Sequence, residues 1–195
     1  MSHDPLLDPD IGRFSALSGS VRERIAKVKL LILDVDGVLT DGGLYYNPDG
    51  TVAKRFHVHD GLGISLAREF DSFQIAVITG HDHPSVAARM RDLHIDDYFP
   101  GFNDKRESFE TARARHNLAY EEVAFMGDDW IDIPVMMRAG VPLAVANAQP
   151  EVKAAAIYIT RAHGGNGAVR EAVRLILYCK GYHDQVLATW LKRYG

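Results

Sequence analysis

A chain of 195 residues, 47% hydrophobic and 25% charged, has the length and make-up to bury one substantial core as a single domain. Its formal net charge of -4 leaves no basic footprint for nucleic acid, and no apolar run approaches the ~20 residues that a bilayer-crossing helix needs. The opening MSHDPLLDPDIGRF lacks the basic and apolar regions of a signal peptide, so a cytoplasmic protein acting away from membranes is expected.

Residues 1–28, rich in Asp, Pro, Ser and Gly at their start, read as a loose, partly ordered N-terminal arm with a short helix in SVRERIAKVK. From 29 to 180 short apolar runs alternate with helical periodicity. KLLILDV, QIAVIT, VAFMGD, PLAVA and AIYIT have the pattern of buried strands, and 61–70, 84–93, 105–117, 131–139 and 166–179 that of helices. The alternation predicts an α/β fold, a doubly wound (Rossmann-like) parallel sheet with helices on both faces. One segment breaks it: GLYYNPDGTVAKRFHVHDG places NPDG between apolar flanks, which predicts a projecting β-hairpin at about 43–57 and leaves no room for a cap domain. Such a ribbon is expected to pack on another subunit or over the site. The single cysteine, Cys179, falls in the apolar run AVRLILYCK with no cation cluster to activate it and reads as a packing thiol. Residues 181–195 form a tail or short helix.

The chemistry is concentrated where apolar runs end, because an open parallel sheet binds its ligands beyond the carboxyl ends of its strands. Asp34 and Asp36 close the first run; in an extended chain they share a face and repel unless a positive group lies between them. Thr79 and Gly80 close the second, Lys105 opens a helix after GFND, and Gly127, Asp128 and Asp129 close VAFMGDD. Taken singly, the aspartate pair reads as a turn and cap, Lys105 as an exposed lysine, and Asp129 and Asp132 as charges at a helix N-terminus. Gathered on one rim, they suit phosphoryl transfer: hard carboxylate oxygens for Mg2+, an ammonium, and a hydroxyl with N–H groups for phosphate oxygens. Asp34 could then attack phosphorus and Asp36 move the proton, with Gly37 letting the backbone turn away.

DVDGVLTDG, VITG, the DK of 104–105 and GDDWID resemble, in order, the four motifs of the haloacid dehalogenase superfamily of phosphatases. Residues 29 to about 179 resemble its small capless branch, with DGGLYY, DGLGI, VANAQPEV and GGNGAVREAV also shared. The resemblance implies a Mg2+-dependent phosphomonoesterase acting through an aspartyl phosphate on a small phosphorylated sugar acid. The implied substrate is 3-deoxy-D-manno-octulosonate 8-phosphate, in lipopolysaccharide biosynthesis. It implies that Asp34 is nucleophile and metal ligand, Asp36 the acid/base with its carbonyl on the metal, Asp128 the remaining protein ligand, and Thr79 and Lys105 the phosphate holders. Asp129 is expected behind the ligands. Asp36, His57, His59, Asp60, Gly61, Gly80, His81, Arg89 and Lys105 are expected around the substrate, HGGNGAVRE at the border of the pocket, and the protein as a homotetramer whose hairpins pack together.

Members of the branch often carry arginine at the positions of His59 and His81. Histidine does not reproduce a bidentate guanidinium, so a nine-carbon sialic-acid-type 9-phosphate or another sugar phosphate stays open as substrate. A catalytically silent binding or assembly protein is the alternative of another class. The pairs His57/His59 and His81/His83 also raise a transition-metal site, which the hard carboxylate set disfavours.

Overall fold

The structure is a computed structural model that describes residues 9–70 and 72–194. Its frame follows from the apolar runs. The first, β1 (Leu30–Leu33), is buried at every position, as a strand covered on both faces must be. The chain then makes a tight turn over Val35–Leu39 and projects a hairpin, β2 (Tyr45–Tyr46) and β3 (Val52–Ala53), before returning into helix α3 (Val58–Glu69). The order continues β4 (Gln74–Thr79), β5 (Asp97–Pro100), β6 (Val123–Gly127), β7 (Val141–Ala144) and β8 (Tyr158–Ile159).

Six strands pair in the order β5-β4-β1-β6-β7-β8, all parallel, while β2 and β3 form a separate antiparallel ribbon with Tyr45 opposite Ala53. The doubly wound sheet and the hairpin are therefore as expected. β1 lies between β4 and β6, with Leu33 level with Val77 on one side and Met126 on the other. The chain passes to opposite sides of β1 here, and this switch in direction opens a crevice at the carboxyl end of β1.

The strand β5 escapes the periodicity reading: it is a half-buried edge of four residues ending in Pro100, a residue that edges tolerate and sheet centres do not. Residues 1–8 of the arm lie outside the described residues; from Pro9 on it is better ordered than its composition implies. Before β1 it forms α1 (Pro9–Ala16) and α2 (Gly19–Ala26), whose Phe14 and Ile25 are fully buried. Around the sheet lie α4 (Pro84–Asp92), α5 (Arg106–Arg115), the four-residue α6 (Ile133–Met136), α7 (Pro150–Ala155), α8 (Ala168–Cys179) and α9 (His183–Tyr194). The helical stretch expected at 131–139 is short because Trp130–Asp132 first makes a tighter turn capped by Asp129. Cys179 is half-buried, and burial pushes its thiol up to about 11, as a packing residue requires. Among the described residues no helix is long and apolar enough to cross a membrane.

Candidate active site

The site begins where β1 stops. The Asp34 N–H continues the ladder by donating to Met126 O at 3.1 Å, and the turn that follows is closed by Thr40 N donating to Val35 O at 2.9 Å. Gly37 makes this turn possible: its φ is +87°, and a Cβ there would collide with the Asp128 carboxylate. The same close packing brings the loop of Gly164 and Gly165 against the turn. Gly165 N donates to Val38 O at 2.8 Å, Gly164 N donates to Asn147 Oδ1 at 2.8 Å, and a Cβ on Gly164 would overlap the Gly37 carbonyl. The glycine-rich segment thus braces the loop that carries the aspartates.

Lys105 enters from the start of α5 with its side chain fully buried. Its ammonium donates to Asp34 Oδ1 at 2.5 Å and to Asp132 Oδ1 at 2.6 Å. Burial would depress its pKa, but the two carboxylates outweigh that and hold it above the ordinary lysine value. Asp34, Asp128 and Asp132 each present an oxygen within 4.8 Å of the others. Burial pushes Asp34 up, and burial together with the Asp34 and Asp132 charges pushes Asp128 up to about 8. Such a cluster holds more negative charge than one lysine offsets, so it favours either a proton or a cation.

Asp132 takes the place expected of Asp129. Both Asp132 oxygens are engaged, Oδ1 by Lys105 and Oδ2 by the N–H groups of Asp128 (2.9 Å) and Asp129 (3.3 Å). Gly127 leaves room for it, since a Cβ there would come 2.5 Å from the Asp132 carboxylate. Asp129 instead is exposed and accepts from Trp130 N at 2.6 Å, because its extended backbone turns the side chain onto the following turn. The i+4 spacing from Asp128 to Asp132 was the available signal for this residue.

Asp36 sits in the turn after β1 and stays partly exposed. Both its oxygens accept from Lys54 Nζ, at 2.6 and 2.7 Å, and the Lys54 side chain is 2% exposed. Nothing in the local sequence marks this hairpin lysine. Thr79 ends β4 on the same rim, buried, with its Oγ1 accepting from His81 N at 3.3 Å. Gly80 follows it beside Asn103, whose Oδ1 would lie 2.6 Å from a Cβ there.

The remaining expected contacts divide. His59 and His81 are exposed; the His57 ring stands edge-on to His59 at 5.0 Å, with its Nδ1 4.0 Å from Asp60 Oδ2. Arg89 lies over the Phe56 ring at 5.9 Å and passes so close to Gly61 that any side chain at 61 would displace its guanidinium. Gly61 therefore seats Arg89. Asp60 is a correction: its carboxylate is 2% exposed and accepts from Gly167 N at 3.2 Å and Arg170 N at 2.7 Å, closing the N-terminus of α8. A helix packed beside α3 claims it before any substrate can.

A parallel sheet with an aspartate pair after its central strand, a buried lysine opposite and further carboxylates after the next strand defines a hydrolase of the haloacid dehalogenase type. The family model for haloacid dehalogenase-like hydrolases matches residues 74–172. The 3-deoxy-D-manno-octulosonate 8-phosphate phosphatase of Escherichia coli (strain K12) is 40% identical over 172 residues, 88% of this chain and 91% of that protein. The Haemophilus influenzae phosphatase of the same name is 38% identical over 161 residues, 83% of this chain and 89% of that one. Among solved structures, the Moraxella catarrhalis phosphatase in complex with magnesium, phosphate and KDO matches with a TM-score of 0.85 at 33% identity, covering 89% of this chain and 99% of that one. The cobalt-bound Haemophilus influenzae enzyme matches with a TM-score of 0.80 at 37% identity, covering 85% and 99%. The chain belongs to the 3-deoxy-D-manno-octulosonate 8-phosphate phosphatase family of the haloacid dehalogenase-like hydrolases.

Proposed function

We propose that this chain hydrolyses 3-deoxy-D-manno-octulosonate 8-phosphate to the free sugar acid and phosphate, with Mg2+, in lipopolysaccharide biosynthesis. The observation that carries the reading is the buried Lys105 ammonium on Asp34, inside a set of three carboxylates mutually within 4.8 Å. The donor set fits the metal: all its ligand atoms are hard oxygens, and Asp128 has no hydrogen-bond donor on its carboxylate among the described residues. Asp34, Asp128 and the main-chain carbonyl of Asp36 would hold the ion. When bound, Mg2+ supplies the positive charge that lets an anionic nucleophile approach a phosphate.

The chain's own groups do the rest. The Asp34 carboxylate attacks phosphorus, the bond to the sugar oxygen breaks, and Asp36 gives that oxygen its proton. Asp36, now a carboxylate, takes a proton from water, which attacks the aspartyl phosphate and releases phosphate from Asp34. Lys105, fixed by Asp132, offsets charge on the nucleophile, while the Thr79 hydroxyl and the N–H groups at Gly80 receive the phosphoryl oxygens. His57, His59, His81 and Arg89 are the groups this reading offers to the sugar acid, with Gly61 seating Arg89.

We read residues 29–180 as a capless phosphatase domain carrying an arm and a tail, and the active form as a cytoplasmic homotetramer. Leu44, Tyr45 and Tyr46 of the hairpin are 53%, 51% and 73% exposed, an apolar ribbon that packing between subunits would cover. Phosphate release from a panel of sugar-acid phosphates, with Mg2+ and with chelator, tests the reaction. Turnover that persists without a divalent cation, or in Asp34→Asn, would sink it. Sedimentation of the wild type against Tyr46→Asp tests the assembly, and an unaltered mass for the variant removes the hairpin from the interface.

A further inference from the structure

The hairpin contributes one side chain to the catalytic turn. Lys54 follows β3, its side chain 2% exposed, and its ammonium donates to both oxygens of Asp36 at 2.6 and 2.7 Å. Other cations of this region have other tasks. Lys105 is taken by Asp34 and Asp132, Arg55 reaches Asp41 and the Gly165 carbonyl, and Arg89 lies over Phe56. Burying an ammonium is costly unless it is paired, and Lys54 is paired with the one aspartate of the turn that Lys105 does not reach.

We propose that Lys54 is a positioning residue for proton transfer by Asp36. This rests on the acid/base reading of Asp36 given above. A two-oxygen grip fixes the plane of a carboxylate whose side chain is 39% exposed even with Lys54 in place and that could otherwise rotate toward solvent. When Asp36 carries its proton, one oxygen stays bonded to Lys54 and the other presents the O–H to the oxygen leaving phosphorus. Breaking the P–O bond sends the electron pair to that oxygen and the proton follows from Asp36. The product is the carboxylate held at both oxygens, as in this structure. Because Lys54 hangs from the hairpin, placement of the hairpin is coupled to the proton-transfer group without any residue of the hairpin having to touch phosphorus.

The readout is dependence on the leaving group. p-Nitrophenolate departs without a proton, whereas an alkoxide such as that of glycerol phosphate needs one, and neither substrate carries a carboxylate. With the full-length enzyme and saturating Mg2+, Lys54→Met should lose more activity on glycerol phosphate than on p-nitrophenyl phosphate, by a ratio on the order of 10²-fold. The loss should appear in kcat, and Lys54→Arg should recover most of it, since a guanidinium can also bridge both oxygens. Equal losses on both substrates would make Lys54 a structural residue, and a loss confined to KM for the sugar-acid phosphate would make it a substrate contact; either overturns the proposal. Asp36→Asn is the control on the reading beneath it. If Asp36→Asn shows no leaving-group discrimination, the acid/base assignment fails and the role given to Lys54 falls with it; if Asp36→Asn discriminates and Lys54→Met does not, Lys54 alone is wrong.

Discussion

Lys105 and Asp132, 27 residues apart in the chain, meet at 2.6 Å with both side chains fully out of water. An ion pair so placed is costly to break from one side, because the surviving charge keeps its desolvation penalty. Asp132→Ala would leave Lys105 on Asp34 alone and unpair the N–H groups of Asp128 and Asp129. Stability should fall by about 3–5 kcal/mol in urea unfolding. Asp132→Asn keeps the shape and an acceptor, so its losses in stability and kcat should be smaller. Equal behaviour of the two variants would mean that the charge of Asp132 does not matter.

Binding of Mg2+ should release protons. Burial and neighbouring carboxylates raise Asp34 and take Asp128 to about 8, so near neutrality the metal-free site holds protons that a cation must displace. Affinity should therefore rise with pH through 7 to 8 and flatten above. Calorimetric titration at pH 7 in two buffers of different ionisation enthalpy measures the release, expected to be on the order of one proton per ion bound. Identical apparent enthalpies in the two buffers would contradict it.

The brace behind the catalytic turn leaves no space for a methyl group. Gly164→Ala would drive its Cβ into the Gly37 carbonyl, moving the turn that carries Asp36 and rests under Asp128. Backbone against backbone has no cheap relaxation, so kcat should fall at least tenfold, the size of effect that small displacements of catalytic groups produce. Gly12→Ala, which meets nothing within 4 Å, serves as the matched control for glycine substitution.

Asp60 should prove to matter for stability. Its carboxylate satisfies two N–H groups at the start of α8, a helix that packs on α3 and whose Val169, Ala172 and Val173 are fully buried. Asp60→Ala should cost about 2 kcal/mol, the worth of charged hydrogen bonds lost with their donors left buried. Thermal unfolding checks it. A wild-type melting temperature combined with a raised KM would return Asp60 to the substrate.

The sequence by itself determined which apolar runs become strands of a parallel sheet, β5 excepted, and the rim on which chemistry occurs; their order in the sheet came from the structure. Leu30–Leu33, Gln74–Thr79 and Val123–Gly127 are apolar runs that burial forces into strands, and parallel pairing aligns their carboxyl ends. Asp34, Thr79 and Asp128 therefore arrive at one edge by position alone, and Lys105 follows from the turn that leads into α5. Only the tertiary structure decided which way the side chains at that edge face. Asp132 rather than Asp129 stands behind Lys105 because the turn after β6 rotates one inward and the other out. Asp60 is drawn to α8, and Asp36 is met by Lys54, because segments 107 and 18 residues away pack there. The strand β5 and the helix α1 were likewise hidden, one being a short edge and the other a polar stretch anchored by a single buried Phe14. A local pattern records which residues must leave water. It does not record which partner, brought by another part of the chain, will meet them there.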